Sequence, residues 1–182
     1  MKMFIISSLL FFTILTAQTR LGIMVNSHIS HFENIQKAKF ENNYKLMPFL
    51  APTFLINFVK DDFTLSLRPG YYYSNPLRGF TLGGYFMKNF YKEFYATAGV
   101  NFLFPSNDID GNSQAFINDS KTFAFVNLGI GYAYKKLLFE INYEVNLSNP
   151  VYGSDTYIDQ LKAVTKETKI HNIIKIGFGL AI

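Results

Sequence analysis

Chemically capable side chains lie close together near the start of the chain. His28 stands two positions before Ser30, so the histidine could act as a general base and the serine as a nucleophile. That chemistry also needs an acid to orient the histidine. His28 and His31 could share a metal ion, but a zinc site needs a third ligand. We therefore expect a polar loop edge here, without a metal, a cofactor or catalysis. His28 and Ser30 are catalytic candidates only under the less favoured interpretation.

Charged residues on the polar side of alternating segments form a second group of candidates. They are Arg68, Glu140, Glu144 and Lys175, and Arg20 is a further one. If these side chains point into a closed interior they must pair, because an unpaired buried charge costs several kcal/mol. The best-placed pair joins Glu140 or Glu144 to Lys175, since their predicted strands are neighbours. A gate or a proton-linked path would use the same residues, but a structural plug is the expected role.

Two predicted loops carry motifs that match known sites only in part. Asp108 to Asn112 resembles a calcium loop, but its glycine is one place early and the bidentate glutamate is missing, so a solvated turn is expected. In the loop over residues 148–168, Ser154 and Asp155 precede a stretch, 156–164, that could form a short capped helix. The apolar residues of this loop could bind a partner or pack on the rim of the fold: Val151, Tyr152, Ile158 and Leu161.

Strands must position these candidates, because eight segments combine β-branched or aromatic enrichment with two-residue alternation. The predicted strands span residues 19–27, 46–59, 63–74, 79–90, 94–104, 121–134, 137–147 and 169–182. Pro48 and Pro52 fall inside the second strand. Proline removes a backbone donor, so a bulge or a late strand start is expected there.

The two faces of these strands differ in polarity. The seventh strand is the clearest: its apolar side carries Phe139, Ile141, Tyr143, Val145 and Leu147, and its polar side carries Glu140, Asn142, Glu144 and Asn146. The third, fifth and last strands also oppose an apolar face to a polar or small one. An apolar outside with a polar or small inside is what lipid demands of a barrel. A soluble lipocalin-type barrel would reverse the faces, but the chain has no Trp and therefore lacks that family's glycine-x-tryptophan signature.

Short and long connections alternate along the chain. The links at 60–62, 89–93 and 134–136 are tight, those at 28–45, 105–120 and 148–168 are long and polar, and only 74–78 is brief at a long-loop position. This order puts the tight links on the periplasmic side and the long loops outside. Closure of eight strands leaves no unpaired edge in hydrocarbon, and at that number side chains nearly fill the interior. We therefore predict an all-β, eight-stranded antiparallel up-and-down transmembrane barrel without a wide pore.

Aromatic residues make up 18% of the chain, more than a soluble domain of this size needs. Several lie near predicted strand ends, where they fit aromatic girdles at the two membrane interfaces. The outer set is Tyr71, Tyr72 and Tyr73, and the inner set is Phe90, Tyr91, Phe94 and Tyr95. The chain ends in Ile182 instead of an aromatic residue, and Phe178, four places earlier on the same face, is expected to take that role. Core aromatics of a soluble barrel are the alternative interpretation.

The first residues have the anatomy of a secretory signal peptide: a lysine, an apolar stretch from Phe4 to Leu15, and small residues up to Ala17. We expect removal of residues 1–17 and a single barrel domain over residues 18–182. No cysteine is present, which excludes disulfides and thiolate metal sites. The 17 basic residues against 13 acidic ones form no clustered basic face, so nucleic acid is not an expected partner.

In this pattern the chain resembles the small outer-membrane barrels typified by the OmpA transmembrane domain and OmpX. The start at Gln18 after the leader and the glycine-rich run from Lys175 to Leu180 resemble Bacteroidota versions of these Gram-negative proteins. The resemblance implies a monomeric barrel in the cell outer membrane, inserted by the barrel-assembly machinery, without the periplasmic domain of longer OmpA-type proteins. His28 and Ser30 are similar to the catalytic pair of outer-membrane lipid A deacylases, whose pair instead sits on a later strand with a downstream glutamate.

The function expected from this sequence is a non-enzymatic structural or interaction role through extracellular loops. Those loops would contact lipopolysaccharide, a host or a partner protein, and the barrel wall would contact outer-membrane lipid. A narrow, porin-like channel or carrier for small or apolar solutes is the first alternative. A lipid A-modifying enzyme that uses His28 and Ser30 is the second.

Overall fold

The computed structural model describes residues 17–36, 39–73, 78–105, 122–148, 151–159 and 162–182. Within these ranges the chain forms nine β-strands that share one antiparallel sheet. Their bounds are β1 Gln18–Gln36, β2 Lys39–Lys60, β3 Phe63–Tyr73, β4 Arg78–Tyr91, β5 Phe94–Pro105, β6 Phe123–Tyr134, β7 Leu137–Asn146, β8 Val151–Asp159 and β9 Lys162–Ala181. In the described part of the chain, no helix is long and apolar enough to cross a membrane.

The sheet closes on itself because β1 pairs with β9 over a long antiparallel register, from Gly22 opposite Ala181 to Gln36 opposite Lys166. Strands β1 to β7 pair in sequence order, and β7 pairs directly with β9. The remaining strand, β8, pairs with the first half of β9 and with no other described strand, so it lies outside the closed ring. The predicted eight-stranded antiparallel barrel is confirmed. The strands that form its closed wall, which we call its staves, are β1 to β7 and β9.

The faces of the strands confirm the polarity read from the alternation. Glu140 and Glu144 on β7 are fully buried in the barrel interior, whereas Ile141 between them is 42% exposed. The same alternation of buried and exposed residues runs along β5. The lipocalin-type alternative, which would put both glutamates in water, is wrong.

Three two-residue turns join strands at one end of the barrel, which we call the turn rim. They connect β2 to β3, β4 to β5 and β6 to β7, at the positions predicted for tight links. The first residue of each turn, Asp61, Lys92 and Lys135, has a positive φ of 51°, 45° and 54°. These values lie in the left-handed region, which lets the chain reverse within two residues.

The other end of the barrel differs from the prediction, because strands replace two expected loops. β1 and β2 continue through the expected loop 28–45 as a paired hairpin up to Gln36 opposite Lys39. The short helix expected over 156–164 is wrong, since β8 and the start of β9 form a second hairpin there. Stretches such as Thr156–Ile158 and Val164–Thr165 favour strand, and a neighbouring strand supplies ladder partners that a lone capping motif cannot offer. The predicted loops 74–78 and 105–120, with Asp108 to Asn112, lie almost wholly outside the described residues.

Pro48 and Pro52 have separate consequences in β2. Between Asn26 and His28, β1 advances by two residues, while β2 advances by four, from Ala51 to Met47. The expected bulge therefore lies in this part of β2, which contains Pro48. Pro52 stays in register opposite Val25, and pairing with β3 begins only at Thr53. Pro52 is thus tolerated because no β3 ladder bond is needed from it. A late strand start is not observed.

Candidate functional site in the barrel interior

An ion pair crosses the barrel interior between β3 and β7, strands that are not neighbours in the sheet. The Arg68 guanidinium donates to both carboxylate oxygens of Glu140, at 2.6 Å and 2.8 Å. The Arg68 Nε donates to Ser66 Oγ at 3.0 Å, and the guanidinium lies 4.4 Å from the centre of the Tyr85 ring. Both partners are buried. This bidentate geometry is the strongest form of an arginine–carboxylate contact.

Neutral donors complete the coordination of the Glu140 carboxylate. Tyr95 donates its hydroxyl at 2.7 Å and Asn142 donates its amide at 2.9 Å. Asn142 in turn accepts a hydrogen bond from Thr97 at 2.9 Å. The network therefore ties β3, β5 and β7 together across the interior. Satisfied buried networks of this kind hold a core in one arrangement.

A second ion pair lies beside the first. The Lys175 ammonium on β9 donates to Glu144 Oε1 at 2.8 Å. The same oxygen accepts from Tyr85 and Asn101, each at 3.3 Å. Since Lys175 is directly opposite Asn142 in the β7–β9 register, it reaches Glu144 diagonally. The structure thus selects Glu144 from the two partners that the sequence offered for Lys175.

Arg20 does not join the interior network, which corrects the sequence-based interpretation. It is exposed at the turn rim and donates to Gln18 Oε1 at 2.9 Å. Pairing of β1 with β9 begins only at Gly22, so Arg20 precedes the point where the barrel wall closes around the interior.

Apolar clusters lie on both sides of the polar network. At the end opposite the turn rim, which we call the loop side, the buried cluster consists of Tyr72, Leu103, Phe123, Phe125, Ile170 and Ile173. On the turn side, the buried cluster consists of Met24, Leu55 and Leu138. The interior therefore has three layers, apolar, polar and apolar. Sequence reasoning missed the loop-side layer, although the inward positions Phe123 and Phe125, two residues apart at the start of β6, could have indicated it.

The space left inside the polar layer is small. A cavity of about 20 Å³ lies among Arg68, Tyr85, Asn101 and Lys175, with Asn26, Thr53, Thr81 and Asn142 around it. A volume of this size holds on the order of one water molecule. The arrangement can hold charge and one small polar molecule.

His28 and Ser30 point into the interior, where both are almost completely buried. The His28 ring stacks on Tyr72, with ring centres 4.2 Å apart and planes inclined by 10°. The Ser30 hydroxyl forms a hydrogen bond with the Tyr72 hydroxyl at 3.1 Å. Among the described residues, no hydrogen bond reaches either nitrogen of His28. The base-to-nucleophile and acid-to-base contacts that catalysis needs are thus not formed there.

His31 lies beside His171, with ring centres 5.4 Å apart. The described part of the chain contains no group of three or more His, Cys, Asp or Glu residues placed to hold a metal ion.

The aromatic residues assigned to girdles divide between the two sides of the wall. Tyr71, Phe90, Tyr91 and Phe94 are exposed on the outside, at 40%, 61%, 59% and 42%. Tyr72 and Tyr95 are wrong as girdle residues, because both are buried in the interior at 2% and 1%. A strand turns consecutive residues to opposite faces, so neighbours of an outward aromatic must point inward. The side chain of Tyr73 lies outside the described residues. Phe178 is on the outer face, 58% exposed.

No protein-family model matches the sequence, and neither does any curated protein sequence. Eight solved chains are similar to this chain, among them the following two. One is the N-terminal β-barrel domain of Pseudomonas aeruginosa OprF, with 16% sequence identity and a TM-score of 0.45 over 91% of this chain and 100% of that chain. The other is Ail, the attachment invasion locus protein of Yersinia pestis, in complex with the heparin analogue sucrose octasulfate, with 10% identity and a TM-score of 0.39 over 90% and 99%.

Proposed function

We propose that this protein is a non-enzymatic β-barrel of the bacterial outer membrane, with a structural or interaction role through the strands and loops opposite the turn rim. The observation that carries the proposal is the polarity of the wall. Large apolar side chains cover the outside of every stave, while the middle of the interior holds the charges.

Water is a poor solvent for such a wall. Soluble monomers rarely expose a continuous apolar patch of more than a few hundred Å². Here the exposed apolar residues continue around the barrel, for example Ile130 at 58% on β6 beside Ile141 at 42% on β7. Closure also satisfies the backbone of every stave, which hydrocarbon requires. Removal of residues 1–17 as a leader and insertion by the barrel-assembly machinery are parts of the same proposal.

The interaction role is supported by a sheet that continues past the closed wall. Its strands lie in the order β2, β1, β9, β8. On one side, β2 before Thr53 pairs only with β1 among the described strands, and on the other side β8 pairs only with β9. Open strand edges offer backbone donors and acceptors to an added strand. We infer that an extended segment of a partner protein adds to one of these edges.

The channel alternative is less well supported, because apolar layers flank the polar layer and the cavity between them is small. The lipid A-modifying alternative is also weaker. Ser30 is completely buried and bonded to Tyr72, which leaves no room for an acyl chain at its hydroxyl. Mass analysis of lipid A from cells with and without the protein tests this alternative, and an altered profile would restore it.

Membrane integration is tested by fractionation of expressing cells, followed by gel migration with and without boiling. Recovery in the outer membrane with heat-modifiable migration is expected. A soluble periplasmic protein whose migration ignores heating would overturn the proposal.

The interaction role is tested by a shortened hairpin. Replacement of residues 32–43 by Asn-Gly closes β1 onto β2 at the existing pair His31 and Tyr44, so the barrel register is kept. Cross-linking of surface-displayed protein in intact cells should join the wild type to its partner in an adduct. The shortened variant should not form this adduct but should keep its heat-modifiable migration. An unchanged adduct pattern would remove the β2 edge from the proposal, and the same replacement in the β8–β9 hairpin would then decide the other edge.

A further inference from the structure

Four aromatic side chains form a continuous stripe on the outside of the barrel at the turn rim. Phe90, Phe94, Tyr132 and Tyr134 follow one another across β4, β5 and β6. Successive ring centres are 6.4 Å, 5.0 Å and 6.5 Å apart. All four rings are exposed, and they cover about 10 Å of wall because adjacent strands lie roughly 5 Å apart.

Two lysines beside this stripe are held over aromatic rings, one over Tyr91, the neighbour of Phe90, and one over Tyr134, the last ring of the stripe. The Lys92 ammonium lies 5.2 Å from the centre of the Tyr91 ring, and the Lys135 ammonium lies 5.3 Å from the centre of the Tyr134 ring. Both lysines are the left-handed first residues of two-residue turns, so the backbone fixes where their side chains start. Neither ammonium has an ion-pair partner among the described residues.

We propose that this stripe and its two lysines form a binding site for one anionic phospholipid. The proposal rests on the membrane-embedded barrel of the previous subsection. The acyl chains lie along the apolar wall below the stripe, the rings occupy the depth of the head group, and Lys92 and Lys135 bind its phosphate.

Charge complementarity selects an anionic head group for this site. Lys92 and Lys135 flank the stripe, and Lys136 follows in the same turn. Of the acidic residues in the three turns, Asp61 and Asp62 lie in the β2–β3 turn, and only Glu93 adjoins the stripe. A head group with a net negative charge gains from both lysines, whereas a zwitterionic head group also brings a cation close to them.

The test compares lipid retention by three proteins folded in detergent. They are the wild type, the site variant Lys92→Gln/Lys135→Gln, and the control variant Lys60→Gln/Lys88→Gln. The control removes the same charge from the same rim outside the stripe, and Lys88 is also held over a ring, that of Phe63 at 5.1 Å. Each protein receives an equimolar mixture of phosphatidylglycerol and phosphatidylcholine with identical chains, and native mass spectrometry measures the ratio of bound lipids.

Wild type and control should retain phosphatidylglycerol in excess. The site variant should lose at least about fivefold of that preference, the value expected for one lysine at an anionic surface. No preference in the wild type, or an equal loss in the control, would overturn the site. Folding into phosphatidylcholine vesicles, measured by heat-modifiable migration, separates the two proposals: normal folding with no lipid preference overturns this inference alone, and failure of the wild type to enter any bilayer overturns both.

Discussion

The ion pair between Arg68 and Glu140 should be the most sensitive contact in the barrel interior. Glu140→Gln keeps the size of the side chain, so no cavity forms, but it leaves the buried guanidinium without a counter-charge. Breaking one side of a buried pair costs about 3–5 kcal/mol. Because the amide oxygen can still accept one of the two bonds at 2.6 Å and 2.8 Å, the loss of unfolding free energy should be near the lower value, about 3 kcal/mol.

The reverse change, Arg68→Met, leaves the Glu140 carboxylate with its two neutral donors, Tyr95 at 2.7 Å and Asn142 at 2.9 Å. Its cost should therefore also be about 3 kcal/mol. The double variant Arg68→Met/Glu140→Gln contains no charge at this position. It should be less destabilised than the sum of the single variants by about 2–3 kcal/mol, because each single cost arises mainly from the charge left behind.

The assay is urea unfolding of protein inserted in vesicles, with the folded fraction read from unboiled gel migration and from circular dichroism. The chain has no Trp, so tryptophan fluorescence is not a usable probe. Linear extrapolation gives the free energy of each protein. Lys175→Met/Glu144→Gln is the comparison cycle, and its coupling should be smaller since Lys175 is 12% exposed. Additive single costs, with a coupling below about 0.5 kcal/mol, would refute the conclusion that this pair orders the interior.

Three other outcomes follow from the wall and the interior. Ile130→Arg on the outer face should lower the free energy of unfolding in a bilayer by about 2–4 kcal/mol, and Leu147→Arg past the strand end by about 0–1 kcal/mol. Equal costs in vesicle unfolding would contradict a lipid-facing wall. Gly131→Ala puts a Cβ into the Tyr95 ring and should cost about 1–3 kcal/mol, whereas Gly84→Ala meets no atom within 4 Å and should be neutral; similar stabilities would disprove the tight fit. Pure folded protein should show no conductance steps in a planar bilayer, and reproducible steps would remove the closed interior.

Hydrophobic periodicity in the sequence was sufficient for most of the fold. The side chains of β7 alternate without interruption from Leu137 to Asn146, and a period of two can satisfy only a strand with two unlike faces. The tight turns could be predicted from the sequence, because a link of only a few residues between two strands can form only a chain reversal. Pro48 marked its own bulge, since the missing donor acts locally.

The hairpins past the barrel were not visible in the same way. The segment around Ser154 and Asp155 carries a local helix-start pattern, and strand formation there depends on β9, which pairs with it across the hairpin. The extension of β1 to Gln36 likewise depends on partners on both sides. Such long-range backbone pairing overrides the local preference of a segment. The register of this pairing cannot be read from the local pattern of a single sequence.

The sequence by itself determined that Arg68, Glu140, Glu144 and Lys175 face the interior, because side-chain direction in a strand follows from position alone. Only the tertiary structure decided which of these residues form ion pairs with each other. Arg68 meets Glu140 across the interior from a strand that is not its neighbour, and Lys175 reaches Glu144 by a diagonal register. Partner choice across a barrel depends on the stagger of its strands, which fixes the height of each residue and is a property of the closed sheet as a whole.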